Sequence, residues 1–225
     1  MKSRLPLLAL PIALVLSSCA QHDRDTMVRV SVPNQKMIVF KKNVQVAMYD
    51  CSTSKFGLGD EPGSNRTPLG KLFVAQKIGG GQPSGMKFKS RRPTGEIVKP
   101  NSPGRDPIVS RILWLKGLER QNARSFGRTI YIHGTAEERT IGTPASYGCI
   151  RMRSRDIIRL YKQVGVGARV EIMDRPFPAP LVATASVAPK PSTSATVQGA
   201  PVSTNQVARP AAIRAQVNGA HPRRG

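Results

Sequence analysis

A chain of 225 residues is long enough for one domain with a proper core, with or without appendages. Its 35 Lys and Arg against 13 Asp and Glu leave a formal charge of +22, which calls for nucleic acid, an anionic membrane face or an acidic polymer as partner. No aromatic RNP motif or Cys/His finger is present and the N-terminus reads as an export signal, so the expectation is no nucleic acid. The carboxylate-rich bacterial cell wall is the natural counterpart.

Lys2 and Arg4 precede an apolar run from Leu5 to Leu16. A bilayer span needs about 20 such residues, so this run is too short to cross but suits a signal peptide. It ends in Leu16-Ser17-Ser18-Cys19-Ala20, which resembles the bacterial lipobox. The resemblance implies that residues 1–18 are removed, that Cys19 is lipidated, and that residues 19–27 tether the domain to a membrane. Ala20, in place of an aspartate, implies the outer membrane and a periplasm-facing domain. The competing reading is an ordinary secretory signal with a coincidental cysteine.

Residues 28–32 alternate Val28, Val30 and Val32 with polar neighbours, the period of a half-buried strand. Residues 37–40 and 44–49 flank Lys41-Lys42-Asn43 and predict a hairpin, with Val44, Val46 and Met48 on one face of the second arm. Residues 52–70 form a Gly/Pro/Ser/Thr-rich loop, and loops of that length are usually functional or mobile. Neither this loop nor residues 80–85 has the spacing of a phosphate-binding glycine loop. Strand character returns at 72–75.

Residues 79–107 read as irregular, with Lys87-Phe88-Lys89-Ser90-Arg91-Arg92 as a charge-protected edge strand. Buried strands follow at 108–109 and 112–115, with Trp114 in the core, and at 129–132. A helix starts near Ser154 as N-cap, with Asp156 in its first turn and Gly165 as its stop. A last strand covers 169–173. About eight short strands and one helix predict a mainly β sandwich or barrel over residues 28–173. Residues 174–225 read as a disordered basic tail, because a segment so poor in large apolar side chains cannot offset its ordering entropy.

The chemistry concentrates in Ile130-Tyr131-Ile132-His133-Gly134-Thr135 and Ser146-Tyr147-Gly148-Cys149-Ile150-Arg151-Met152. Of three histidines, His22 falls in the tether and His221 in the tail, so His133 is the one imidazole within the domain. A His-rich metal site is therefore excluded there, and no cysteine cluster replaces it. Only a thiolate attacks, and a free thiol has a pKa of about 8.5, so Cys149 needs a partner that removes its proton. Gly148 permits close backbone approach, and amides around Gly148 and Cys149 suit an oxyanion. Cys51 reads as a small buried hydrophobe, although a Cys51–Cys149 disulfide stays open from sequence.

These two stretches resemble the catalytic signature of bacterial L,D-transpeptidases, and residues 54–60 and 67–70 resemble further segments of that domain. The resemblance implies Cys149 as nucleophile and His133 as general base. It implies the Gly134 carbonyl as orienting group, and a loop or substrate role for Arg151, the loop role being favoured. It also implies peptidoglycan stem peptides as substrate, no cofactor and no metal. The acyl-enzyme would be resolved by a stem amine, a protein lysine or water. Tyr147 stands where that family commonly has a second histidine, so Ser146 and Tyr147 are assigned to the substrate side and the acceptor stays open. An inactive wall-binding lipoprotein is the reading of another class. Metabolic palmitate labelling should disappear in Cys19→Ala; label that persists would refute lipidation at that residue.

Overall fold

The computed structural model describes residues 22–104 and 106–179; the expected signal segment, the expected lipidation residue Cys19 and most of the expected tail, from residue 180, lie outside these. Ten strands form one sheet: β1 (Thr26–Ser31), β2 (Lys36–Lys41), β3 (Val44–Asp50), β4 (Gly70–Ile78), β5 (Met86–Lys89), β6 (Arg92–Ile97), β7 (Ile108–Gly117), β8 (Tyr131–Thr135), β9 (Ile150–Met152) and β10 (Arg169–Met173). One helix, α1 (Ser154–Gln163), follows β9. The sheet order is β3-β2-β1-β10-β4-β7-β5-β6, with β8 branching from β7 and carrying β9. This is the mainly β architecture with one helix that the strand count predicts.

The main core lies between the β1–β10–β4–β7 part of the sheet and the β8–β9–α1 unit. Val28, Val30, Leu72, Val74, Leu113 and Leu115 meet Ile130, Ile132, Ile150, Met152, Ile157 and Leu160 there. Alternation explains the layering, since every second strand residue faces inward. A smaller cluster of Met86, Phe88, Ile112 and Tyr131 lies on the other side, with Trp114 packed against it. Trp114 is thus not in the main core; it stacks on Phe126 at 4.1 Å, and its indole N–H donates to the Phe126 carbonyl.

The structure departs from the sequence reading at several points. Residues 79–107 hold the β5–β6 hairpin, whose Ser90-Arg91 turn has positive φ at both positions. The stretch 87–92 is not the edge strand expected from its charge: its first part is β5, paired with β7 on one side and β6 on the other, with Phe88 buried, and the exposed edge is β6. The two strands expected at 108–109 and 112–115 are one strand, bent by a bulge at Ser110 (φ 68°). In β3 the shared face of Val44 and Val46 points to solvent, at 64% and 48% exposure.

Ser154 is not the N-cap. Arg153 occupies that position, while Ser154 turns inward, its hydroxyl bonding Ser110 and its amide donating to Glu138. A carboxylate from another element satisfies the helix start, which frees the serine for the interior. Gly165 is not a left-handed stop either: Val164 caps the helix, and Gly165 packs its amide on Asp23 at 2.7 Å. Of the expected tail, Phe177 is buried and its amide donates to Asn34, because a single aromatic suffices to anchor the chain past β10. Leu113 is fully buried on the strand that pairs with both β4 and β8. Leu113→Ala should lower unfolding free energy by about 2–5 kcal/mol, read from the urea midpoint.

Candidate active site

β8 and β9 run parallel, pairing Ile132 with Ile150, His133 with Arg151 and Gly134 with Met152. Partners in a parallel ladder point to the same side, and the side alternates along each strand. Ile132, Ile150 and Met152 therefore enter the core, while His133 and Arg151 emerge on the opposite face. Cys149 lies two residues before Arg151 and lines the same cleft as His133. That cleft, about 580 Å³, is walled by Asp106, Ile108, His133, Glu137, Ser146, Tyr147, Cys149 and Arg151.

The His133 ring is buried, with Nδ1 2.8 Å from the Gly134 carbonyl oxygen. A carbonyl only accepts, so Nδ1 carries the proton and Nε2 keeps its lone pair for use as a base. Glycine at 134 is required by packing, because a Cβ there would sit 2.5 Å from the Val109 carbonyl. Burial holds the imidazole below its usual range, partly offset by the Gly134 hydrogen bond and by Asp106.

Cys149 is half-buried, and its thiol lies 3.5 Å from the Thr129 carbonyl. Burial pushes the thiol up to about 11, against the pull of the Tyr131 amide and of Arg128 and Arg151. The resting pair is a thiol beside a neutral imidazole. Cys51 is buried in the main core as a free thiol, and burial raises its pKa too. No disulfide joins the two.

The nucleophile loop is shaped by Ser146. Its buried hydroxyl donates to the Cys149 carbonyl at 2.6 Å and accepts from the Gly148 amide at 3.2 Å. Ser146 is thus a scaffold residue, and the Gly148 amide is occupied rather than directed at an oxyanion. The Cys149 amide has no acceptor among the described residues. Gly148 contributes shape: its φ is 113°, and a Cβ would press within 3.2 Å of the Arg66 carbonyl. Thr67, fully buried, donates to the Gly148 carbonyl and accepts from the Ser54 amide, fixing the 52–69 segment across the loop. Tyr147 stands 62% exposed between Phe56, at 5.4 Å, and the Lys55 ammonium, which lies 3.1 Å from its hydroxyl.

Arg151 is almost fully buried. It donates to Asp106 at 2.6 Å, Glu137 at 3.0 Å and the Thr140 hydroxyl at 2.9 Å. Asp106 also accepts from the Thr135 hydroxyl and the Ala136 amide. Arg151 therefore holds the segment after β8, and it lines the cleft as well. A second cleft of about 410 Å³ also has Tyr147 and Cys149 in its wall, with Asn65, Arg128 and Thr129 among others. Arg128 ties the 57–66 segment down through Asp60, Gly59 and Arg66.

The model of the L,D-transpeptidase catalytic domain (YkuD) matches residues 25–172. The chain belongs to this family. Over 50 residues it is 52% identical to the probable L,D-transpeptidase ErfK/SrfK of Salmonella typhimurium, 22% of this chain and 16% of that one. Over 53 residues it is 45% identical to the probable L,D-transpeptidase YbiS of Escherichia coli K12, 24% of this chain and 17% of that one. These matches thus span about a sixth of the relatives' lengths. L,D-transpeptidase 3 from Mycobacterium tuberculosis, solved with a faropenem-derived adduct, superposes with a TM-score of 0.45 at 15% identity, covering 66% of this chain and 60% of that one.

This L,D-transpeptidase domain brings Cys149, His133, Gly134, Ser146, Tyr147, Gly148 and Arg151 around one cleft or its supporting loop. Asp106, Glu137 and Arg128 belong to the same assembly without a sequence signal of their own, and Thr67, in the segment 67–70, takes a part there that the resemblance did not assign. Asp106 sits in a stretch that reads as irregular, and a lone arginine in a loop carries no distinguishing pattern. Among the described residues no group of three or more His, Cys, Asp and Glu is placed to hold a metal. Alkylation of Cys149 by iodoacetamide should keep rising with pH through neutrality toward the thiol's pKa of about 11. A rate that levels off at neutral pH would reveal a preformed thiolate and overturn the neutral-pair assignment.

Proposed function

We propose that this chain is a peptidoglycan L,D-transpeptidase working through a Cys149 thioester. The observation that carries the reading is a thiol and a base of defined tautomer lining one cleft, within a domain of this family. His133 Nε2 takes the thiol proton as sulfur attacks the carbonyl of the third residue of a tetrapeptide stem. With a thiol near 11 and a neutral imidazole, transfer and attack are coupled rather than sequential. The Cys149 amide receives the oxyanion, and one such donor is worth about 2.7–4 kcal/mol of barrier. Asp106 favours the imidazolium that forms.

His133 then returns the proton to the departing amine of the terminal D-alanine, leaving the thioester. An amine resolves it: a stem side chain gives a 3–3 cross-link, and a protein lysine gives a protein–wall link. His133 takes the proton of that amine in turn. The basic surface favours a carboxylate-rich wall, and the lipobox-like run at Cys19 supports a periplasm-facing lipoprotein of the outer membrane.

Incubating the form lacking residues 1–19 with tetrapeptide muropeptides, read by mass spectrometry, tests the reaction. Cross-linked dimers are expected, with a transient acyl adduct on Cys149. Cys149→Ala and His133→Ala should each cut turnover by at least about a thousand-fold. Tripeptides alone would replace transfer by hydrolysis, and unchanged muropeptides with bound protein would reduce the chain to a wall binder.

A further inference from the structure

Two clefts share Cys149 and Tyr147 in their walls, and they differ in chemistry. The larger holds His133 with Asp106, Glu137 and Arg151; the smaller holds Arg128 and, among the described residues, no imidazole. On the mechanism above, one base protonates the leaving amine and deprotonates the incoming one. Both amines must therefore pass on the His133 side, and the acyl chain takes the other. Among the described residues the His133 cleft carries two carboxylates against one guanidinium, and its imidazole is neutral. It is locally acidic within a segment, residues 22–179, that holds 28 of the chain's 35 basic residues.

The two carboxylates are not equivalent. Asp106 is committed, one oxygen to the Thr135 hydroxyl and Ala136 amide and the other to Arg151. Glu137 gives Oε2 to Arg151, while Oε1 has no partner among the described residues, and the side chain is 34% exposed in the cleft wall. An acceptor amine with a pKa of about 10 arrives as an ammonium at neutral pH.

We infer that Glu137 selects the acceptor: its free carboxylate oxygen receives the ammonium of the incoming amine beside the thioester. The inference rests on the transpeptidase reading. The docked ammonium gives one proton to bulk water. The neutral amine then attacks the thioester carbonyl, the C–N bond forming as the C–S bond breaks. The second proton goes to His133 Nε2 and on to the departing sulfur. Glu137 touches the acceptor but moves no proton in the reaction.

The test compares two acceptors on protein acylated by a tetrapeptide. Nα-acetyl-lysine amide is cationic at neutral pH, and hydroxylamine is not. In Glu137→Gln, the KM for the lysine amide should rise about ten-fold while its kcat stays within about two-fold. Any loss that reaches the site through Arg151 falls on both acceptors alike, so the ratio of kcat/KM for the lysine amide to that for hydroxylamine should fall about ten-fold. An unmoved KM for the lysine amide, or an equal loss with both acceptors, would overturn the inference and leave Glu137 as a support for Arg151. Should the variant not fold, salt titration of the wild type decides: the KM for the lysine amide should climb with ionic strength and that for hydroxylamine should not. A flat response for the lysine amide would overturn it equally. A wild type that never acylates on any tetrapeptide would instead refute the transpeptidase reading itself.

Discussion

Everything distinctive about this domain depends on the three-residue parallel pairing of β8 with β9. One face of that pair is core, through Ile132, Ile150 and Met152; the other presents His133 and Arg151. The site therefore shares its backbone with the centre of the hydrophobic core and cannot shift independently of it. The pairing is secured by a charge that has nowhere else to go. Arg151 is buried, and its guanidinium is matched by Asp106 from just before β7 and by Glu137 and Thr140 from just after β8. Removing one partner of such a buried pair typically costs about 3–5 kcal/mol, because the remaining charge is left without water or counter-charge. The ion network is thus as much a clasp on the fold as a feature of the cleft.

The same burial sets the electrostatics of the reacting groups. It disfavours charge on both, raising the thiol and lowering the imidazole, so neither is ionised at rest. A thiol held neutral is protected from adventitious oxidation and metal capture, since those reactions need the thiolate. Activation then belongs to the substrate-bound state. The domain surface is strongly basic while the His133 cleft is locally acidic. On the function proposed above, attraction to an anionic polymer and discrimination at the thiol would be separate electrostatic functions, carried by different residues.

Much of the fold was legible in the sequence because hydrophobic period reports strand and helix directly. The hairpin of β2 and β3, the strand β10 and the helix α1 all follow from it. What escaped was set by partners distant in sequence. Ser154 looked like a cap, but Glu138 caps the helix and releases Ser154 to Ser110. Gly165 looked like a stop, but its lack of a side chain serves to admit Asp23. Val44 and Val46 share a face as their alternation requires, yet β3 is the edge beside β2 and that face meets solvent.

The sequence by itself determined the chemistry available: one thiol next to one imidazole in stretches of recognisable pattern, and no second base within the domain. It also determined that Gly134 and Gly148 mattered, because glycine beside a reactive residue marks a close approach or a backbone that other residues resist. Only the tertiary structure decided how those groups are deployed. It spent the Gly148 amide on Ser146, turned Arg151 inward as a structural cation, and brought Asp106 and Glu137 to the cleft from segments without a pattern of their own. The reason is physical. Residue type fixes what a group can do, but burial, partner and direction arise from pairings between distant strands, which a local pattern does not encode.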